Sequence, residues 1–190
     1  MNETERLPIV IELAKVEDAK EMVEVHAQSW LETYPNNALG ITEEIVRNSI
    51  FGEQNEKIAD RIERYARRIE TKDEHNHSAF VARQDNKIVG LSLPYVEPGG
   101  RHRLGAFYVL ESAWGQGVGS QLLSKALDWH GSNDVYLLVA TYNERAIRFY
   151  EKHGFHRTGA ESEEIFTKDV KMPEFEMVHQ SDSDKSISSK

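Results

Sequence analysis

Cysteine is missing from all 190 residues. That removes disulfides, thiolate nucleophiles and cysteine-ligated metals at once. Long apolar runs are missing too: none approaches the roughly 20 residues that cross a bilayer as a helix. Met1 to Arg6 is polar and mixed in charge, with no signal-peptide core behind it. The expectation is a cytoplasmic protein with no membrane partner. Cationic excess is also absent, since 23 Lys and Arg face 32 Asp and Glu, a formal net charge of −9. This argues against nonspecific affinity for nucleic acid and mildly favours a cationic ligand.

The composition that remains, 39% hydrophobic and 29% charged, is that of a globular chain. One domain is expected over residues 1–180, without an internal repeat or linker. The polar stretch "SDSDKSISSK" over residues 181–190 reads as a disordered tail.

Hydrophobic spacing predicts the elements. Pro8 to Ala14 reads as a first strand. Ala19, Met22, Val23, His26, Ala27 and Trp30 form one buried helical face. Further helices are expected from Thr42 to Ile50 and from Glu56 to Ile69. On the latter, Asp60 with Arg64 and Glu63 with Arg67 make a self-neutralising face more natural than a nucleic-acid stripe.

Strands are expected at Ser78–Arg83 and Lys87–Val96, around a "QDN" turn, and at Leu104–Val109. Asp134–Ala140 contains "VYLLVA", the continuous apolar run of a strand covered on both faces. A short helix over Asn143–His153 ends at Gly154, and strands follow near Phe155–Gly159 and Glu174–His179.

The stretch "WGQGVGSQLL", Trp114 to Leu123, crowds three glycines into what reads as the first turn of a helix. Each interior glycine costs a helix about 0.8–1 kcal/mol relative to alanine. Such a cost implies a tight bend or a ligand that approaches the backbone closely. Strand, glycine turn and helix together make an anion site from free N–H groups and the helix dipole. A Walker loop is excluded, because no Gly-Lys-Ser/Thr follows. A dinucleotide fingerprint fits poorly: Ser120 stands where its third glycine belongs, and "LLVATYN" lacks the acidic residue for a ribose.

"FYVLESAWGQGVGSQLL" followed by "LLVATYNERAIRFYEKHGF" resembles the acetyl-CoA-binding core of the GCN5-related N-acetyltransferase (GNAT) family. Gly117 and Gly119 match the two small positions of the family's first motif. Asn143, Ala146, Phe149, Tyr150, Gly154 and Phe155 match its second motif in register. "HAQSWLETY" also looks like the family's first helix. One departure is Trp114, which stands where the family has Gln or Arg.

The resemblance implies an α/β (α+β) fold, with a mixed, mostly antiparallel twisted sheet, helices on both faces, and splayed fourth and fifth strands. It implies an acetyl-CoA-dependent N-acetyltransferase that acts on a primary amine of a small molecule or peptide, as a monomer or homodimer and without a metal. A noncatalytic acyl-CoA-binding module is the alternative. Tyr108 and Val109 would meet the pantetheine. Trp114, Gly115, Gln116, Gly117, Val118, Gly119 and Ser120 would cradle the pyrophosphate, with Asn143 and Ala146 on the second side.

Tyr150 would protonate the leaving thiolate, although periodicity alone reads it as a core aromatic. Trp114 has both a packing and a cofactor reading. Glu32, Tyr34 and Glu97 are candidates for the amine pocket. Glu97, His102, Glu32 or a water chain remain open as the base. His26 reads as a hydrogen-bonded core residue, and His75 with His77 lacks partners for a zinc site.

Overall fold

The computed structural model describes residues 8–52, 57–71 and 76–181. His75 and most of the expected tail lie outside them. In chain order the elements are β1 (Val10–Leu13), α1 (Ala19–Thr33), α2 (Glu43–Phe51), α3 (Ile58–Glu70), β2 (Phe80–Gln84), β3 (Lys87–Ser92), β4 (Tyr95–Val96) and β5 (His102–Arg103). There follow β6 (Phe107–Val109), α4 (Val118–His130), β7 (Val135–Ala140), α5 (Glu144–Lys152), β8 (Phe155–Ile165) and β9 (Lys171–His179).

The strands form two sheets, ordered β1-β2-β3-β6 and β4-β5-β7-β9-β8. Among the described residues, only β5 and β7 pair in parallel. The turn between β2 and β3 places Asp85 and Asn86 at φ 51° and 60°, the left-handed pair that a two-residue hairpin loop demands.

The stretch expected as one strand, Leu104–Val109, is broken at Gly105. Its φ is +67°, and a Cβ there would lie 2.1 Å from the Leu93 carbonyl oxygen. Before the break, the Leu104 amide donates to the Tyr136 carbonyl of β7 at 2.9 Å. After it, the Leu93 amide donates to the Ala106 carbonyl, so the chain has joined β3 instead. The facing stretch breaks as well, at Leu93–Pro94, between β3 and β4. The result is a wedge: β6 and β7 diverge from Leu104 with no pairing between them. Only glycine fits the pivot, which is a reason the bend sits there.

Helices cover both faces. Met22, Val23, Tyr65 and Ile69 of α1 and α3 pack on Val81, Ile88 and Leu91. On the opposite face, Val118 of α4 meets Ala82, Ile11 and Val89. Leu123, Ala126, Ile147 and Tyr150 of α4 and α5 cover Leu137, Val139, Phe175 and Met177 of the second sheet. Leu122 and Leu123 are at most 1% exposed, and each such burial contributes about 1.5–3 kcal/mol.

The strand β7 is not covered on both faces. Leu137 and Val139 are buried, but Leu138 between them is 42% exposed. Its apolar run therefore did not report two covered faces, because one face opens on a cavity described below. Both C-terminal strands are longer than their apolar patterns suggested, since β8 is mostly exposed and polar along its length.

On α3, Arg67 pairs with Glu63 at 2.6 Å. Arg61 instead donates to the Ile50 and Ser49 carbonyls, and Arg68 to those of Leu93 and Pro94. These two arginines thus tie α3 to its neighbours rather than to solvent. The ion pair expected between Asp60 and Arg64 is not formed.

Candidate active site

The open edge of the wedge is built by strand alternation. Leu93 N–H donates to Ala106, and Leu110 N–H donates to Val89. The even-numbered residues of this stretch therefore turn their peptide groups toward β3. Alternation turns those of Phe107 and Val109 into the gap. The Val109 carbonyl on that edge accepts the indole Nε1–H of Trp114 at 2.7 Å. The Arg145 guanidinium lies 3.1 Å over the centre of the Trp114 ring, within the range of a cation–π contact. Trp114 is thus a packed brace between strand edge, loop and α5.

The glycines serve two different purposes. Gly115 and Gly117 precede α4 with φ +71° and +84°, so they bend the chain into the helix and are not part of its first turn. Gly119 lies inside the helix at a helical φ. A Cβ there would come 3.2 Å from the Phe149 ring, so its smallness lets α5 approach. The first α-helical bond runs from Gln121 N–H to the Gly117 carbonyl at 3.1 Å. The amides of Val118, Gly119 and Ser120 are then the free donors of the helix N-terminus, and its first turn carries no acidic side chain.

These parts surround a cavity of about 430 Å³. Tyr108, Val109, Trp114, Gly115, Gly117, Val118, Gly119, Ser120, Asn143, Ala146 and Tyr150 all line it. Of the residues expected there, Gln116 does not. Its side chain bonds to Gln84 and to the Ser112 carbonyl instead. Asn143 accepts the Ala146 amide at 3.1 Å, which caps α5. Ser120 Oγ meets His153 Nε2 at 3.0 Å. The sequence reading missed Arg145 and Lys152, two cations on this rim.

Tyr150 is 8% exposed and packs in the core, yet it also lines the cavity. Its two readings are therefore compatible in space. Burial pushes its phenol well above the ordinary value, assisted by Tyr108, while Arg145 pulls the other way.

A second cavity of about 360 Å³ opens on the other side of Tyr108, which lines both. Tyr34, Tyr95, Glu97, Tyr136, Glu164 and Glu174 line it. The Tyr34 and Tyr108 hydroxyls are 3.5 Å apart. Of the amine-pocket candidates, Tyr34 and Glu97 are present, but Glu97 is held by Arg103 at 2.8 Å. Glu32 lies elsewhere and accepts the Glu111 amide. His102 pairs with His130 at 2.9 Å, and it lines neither cavity.

His26 is buried, bonded through Nδ1 to Tyr65 Oη and stacked on Tyr108 at 4.6 Å. His77 is occupied by Thr71 and the Arg68 carbonyl. Among the described residues, no group of three His, Asp or Glu side chains is placed to hold a metal ion. No helix among them is long and apolar enough to cross a membrane.

Comparison with known proteins agrees with this architecture. Residues 43–155 match the model of the acetyltransferase (GNAT) family, and the chain belongs to that family. A Mycobacterium tuberculosis protein described as a probable N-acetyltransferase is 34% identical over 84 residues, 43% of this chain and 48% of the relative. The chain thus spans about half the length of that curated relative.

Among solved structures, PaiA N-acetyltransferase of Thermoplasma acidophilum, in complex with coenzyme A, superposes with a TM-score of 0.71 at 21% identity. The match covers 92% of this chain and 99% of that one. The YncA protein of Salmonella typhimurium, solved with acetyl-CoA, gives 0.62 at 19% identity, over 92% and 95% of the two chains. At such identities the likeness speaks for the fold.

Proposed function

We propose that this protein transfers an acetyl group from acetyl-CoA to a primary amine by direct attack. The observation that carries this reading is the convergence of three features on one cavity. These are the unpaired β6 edge, the free amides that open α4, and the Tyr150 phenol. The cradle fits a pyrophosphate: Gly115 and Gly117 leave the backbone bare, and Arg145 and Lys152 add positive charge at the rim. The peptide groups of Phe107 and Val109 suit an extended pantetheine chain.

Acetyl-CoA supplies the activated thioester. The Val109 N–H on the gap edge is positioned to donate to charge developing on the acetyl oxygen, and such a donor is worth about 2.7–4 kcal/mol. The Tyr150 phenol, neutral at pH 7, can give its proton to the departing sulfur. A phenol bordering the cavity favours turnover over passive acyl-CoA binding.

Thermal shifts with acetyl-CoA, CoA and NAD test the binding class, because a ligand stabilises according to its concentration over its Kd. CoA release with a panel of polyamines, aminoglycosides, amino acids and peptides tests the transfer. Stabilisation by NAD alone, or CoA binding without acetylation of any amine, would overturn the reading.

A further inference from the structure

Direct attack needs a neutral amine. A lysine-like amine has a pKa of about 10.4, so most of it arrives at pH 7 as an ammonium ion. The three side chains singled out in sequence as bases are otherwise engaged or misplaced. Glu97 is paired to Arg103, Glu32 caps a backbone amide away from the cavity, and His102 faces His130.

The second cavity contains a different carboxylate. Glu174 stands on β9 opposite Ala140 of β7 and Ser162 of β8. The Glu164 position is two residues from Ser162 on β8, so the two glutamates share one face of the sheet as diagonal neighbours.

Glu174 contrasts with the next residue on that face. Glu176 is 5% exposed and paired with Arg101 and Arg103 at 2.7 and 2.8 Å, with Thr158 adding a hydrogen bond. Glu174 has neither an ion pair nor a hydrogen bond among the described residues, although it is half-buried. Its cavity shares the Tyr108 wall with the cavity that contains Tyr150.

We propose that Glu174 is the general base that takes a proton from the acceptor's ammonium group. This rests on the acetyl-transfer reading above. The Glu174 carboxylate accepts one N–H proton, which frees the nitrogen lone pair. That pair forms the C–N bond at the acetyl carbon, and the C–S bond breaks with its electrons going to sulfur. Sulfur takes the Tyr150 phenol proton, and the surplus proton on the new amide nitrogen returns to the phenolate through solvent. Glu174 releases its proton to solvent, so one proton leaves per turnover.

The environment suits a base that works near neutral pH. Burial, with Glu164 beside it, raises Glu174 to about 7. The groups that face this pair are Tyr34 from the end of α1, Tyr108 on β6, Tyr142 after β7 and Arg61 from α3. Glu97 and Arg103 line the same cavity and neutralise each other. Arg61 acts on Glu164 rather than on Glu174. The cavity is thus left with an uncompensated carboxylate.

The test compares wild type with Glu174→Gln, using spermidine, tyramine and a lysine peptide as amine probes and hydroxylamine as a nucleophile already neutral at pH 7. Single-turnover rates are recorded from pH 5.5 to 9, with acetyl-CoA affinity measured by calorimetry. With the amines, Glu174→Gln should lower the rate by roughly 10²–10⁴-fold, the scale of general-base loss. It should also erase the inflection near pH 7. The deficit should shrink markedly with hydroxylamine, while acetyl-CoA affinity stays at the wild-type value.

A folded Glu174→Gln with the wild-type amine rate and pH profile overturns the base assignment alone. So does an equal loss with amines and hydroxylamine, which would mark a structural role. No wild-type turnover of any probe, with acetyl-CoA bound, overturns the transfer reading and the base with it. Should Glu174→Gln fail to fold, Glu174→Asp replaces it, and an unchanged pH profile with unchanged rates for that variant is the overturning result.

Discussion

The indole N–H of Trp114 is bonded to the carbonyl of Val109 across 2.7 Å, which ties the glycine-rich loop before α4 to the strand edge beside it. Arg145 closes the arrangement from α5 by lying on the same ring. The side chain that stands where the family has Gln or Arg is therefore spent on contacts with the strand edge and α5. Under the acetyl-transfer reading, pyrophosphate binding is left to backbone amides, which makes the two positive-φ glycines the sensitive positions.

Gly117→Val is expected to weaken acetyl-CoA binding by at least tenfold, or about 1.4 kcal/mol. The space beside Gly117 is open, with Gln121 Nε2 the nearest atom to a Cβ at 3.7 Å. The penalty arises from forcing a β-branched residue to φ +84°. Calorimetry on the folded variant decides this, and unchanged affinity would remove the loop from the cofactor site.

Asn143→Ala should lower stability by about 1 kcal/mol, the usual cost of a lost N-cap. The bond to the Ala146 amide already engages its side-chain oxygen. Acetyl-CoA affinity should therefore stay close to wild type, and Asn143→Asp should recover most of the stability. Thermal melting with a parallel binding titration separates the cap from a ligand contact.

Tyr150→Phe should keep the aromatic packing against Phe107 and Phe155 while removing the hydroxyl. A fall in kcat of roughly 10²–10⁴-fold is expected for a lost general acid. Cofactor affinity should change little, because the contact strengthens only as charge forms on sulfur. Single-turnover measurement is required, since slow product release can hide a chemical step. An undiminished chemical step in a stable variant would return Tyr150 to the core alone.

Stability should fall on acidification through His26. Burial, with Arg61 and Arg64 nearby, lowers this imidazole from 6.5 to about 3. The folded state prefers it neutral, so its contribution is complete above pH 6.5 and is lost as pH falls toward 3. Denaturant melts between pH 7 and 4 should show the decline, and His26→Gln should flatten that part of the curve. Equal slopes in both proteins would assign the decline to other groups.

Much of this arrangement was legible in the residues. The glycine cluster and the "NERAIRFYEKHGF" block come together around one cavity, as the family resemblance implied, because backbone conformation and tight packing constrain both stretches. The splay of the two strands was legible through the family resemblance, but its pivot was not, because Leu104 to Val109 is a plausible continuous strand until the Leu93 carbonyl is placed 2.1 Å from where a Gly105 Cβ would sit. Glu174 escaped for a related reason. Which of two neighbouring glutamates receives arginine partners depends on loops and strands far away in the chain. His26 was readable, since a histidine on an apolar helical face needs a local partner, and Tyr65 provides it.

Because Tyr108 forms a wall of both cavities, the acetyl-transfer reading gives donor and acceptor separate doorways. Under the acetyl-transfer reading, neither substrate must leave before the other arrives, and no acetylated side chain need carry the group between visits. Initial-rate lines at several fixed acceptor concentrations then intersect instead of running parallel. The same shared wall couples the two rooms in evolution: widening the acceptor side at Tyr108 also reshapes the donor side. New acceptors are more easily accommodated at Tyr95, Leu138 or Met172, which border the acceptor side only.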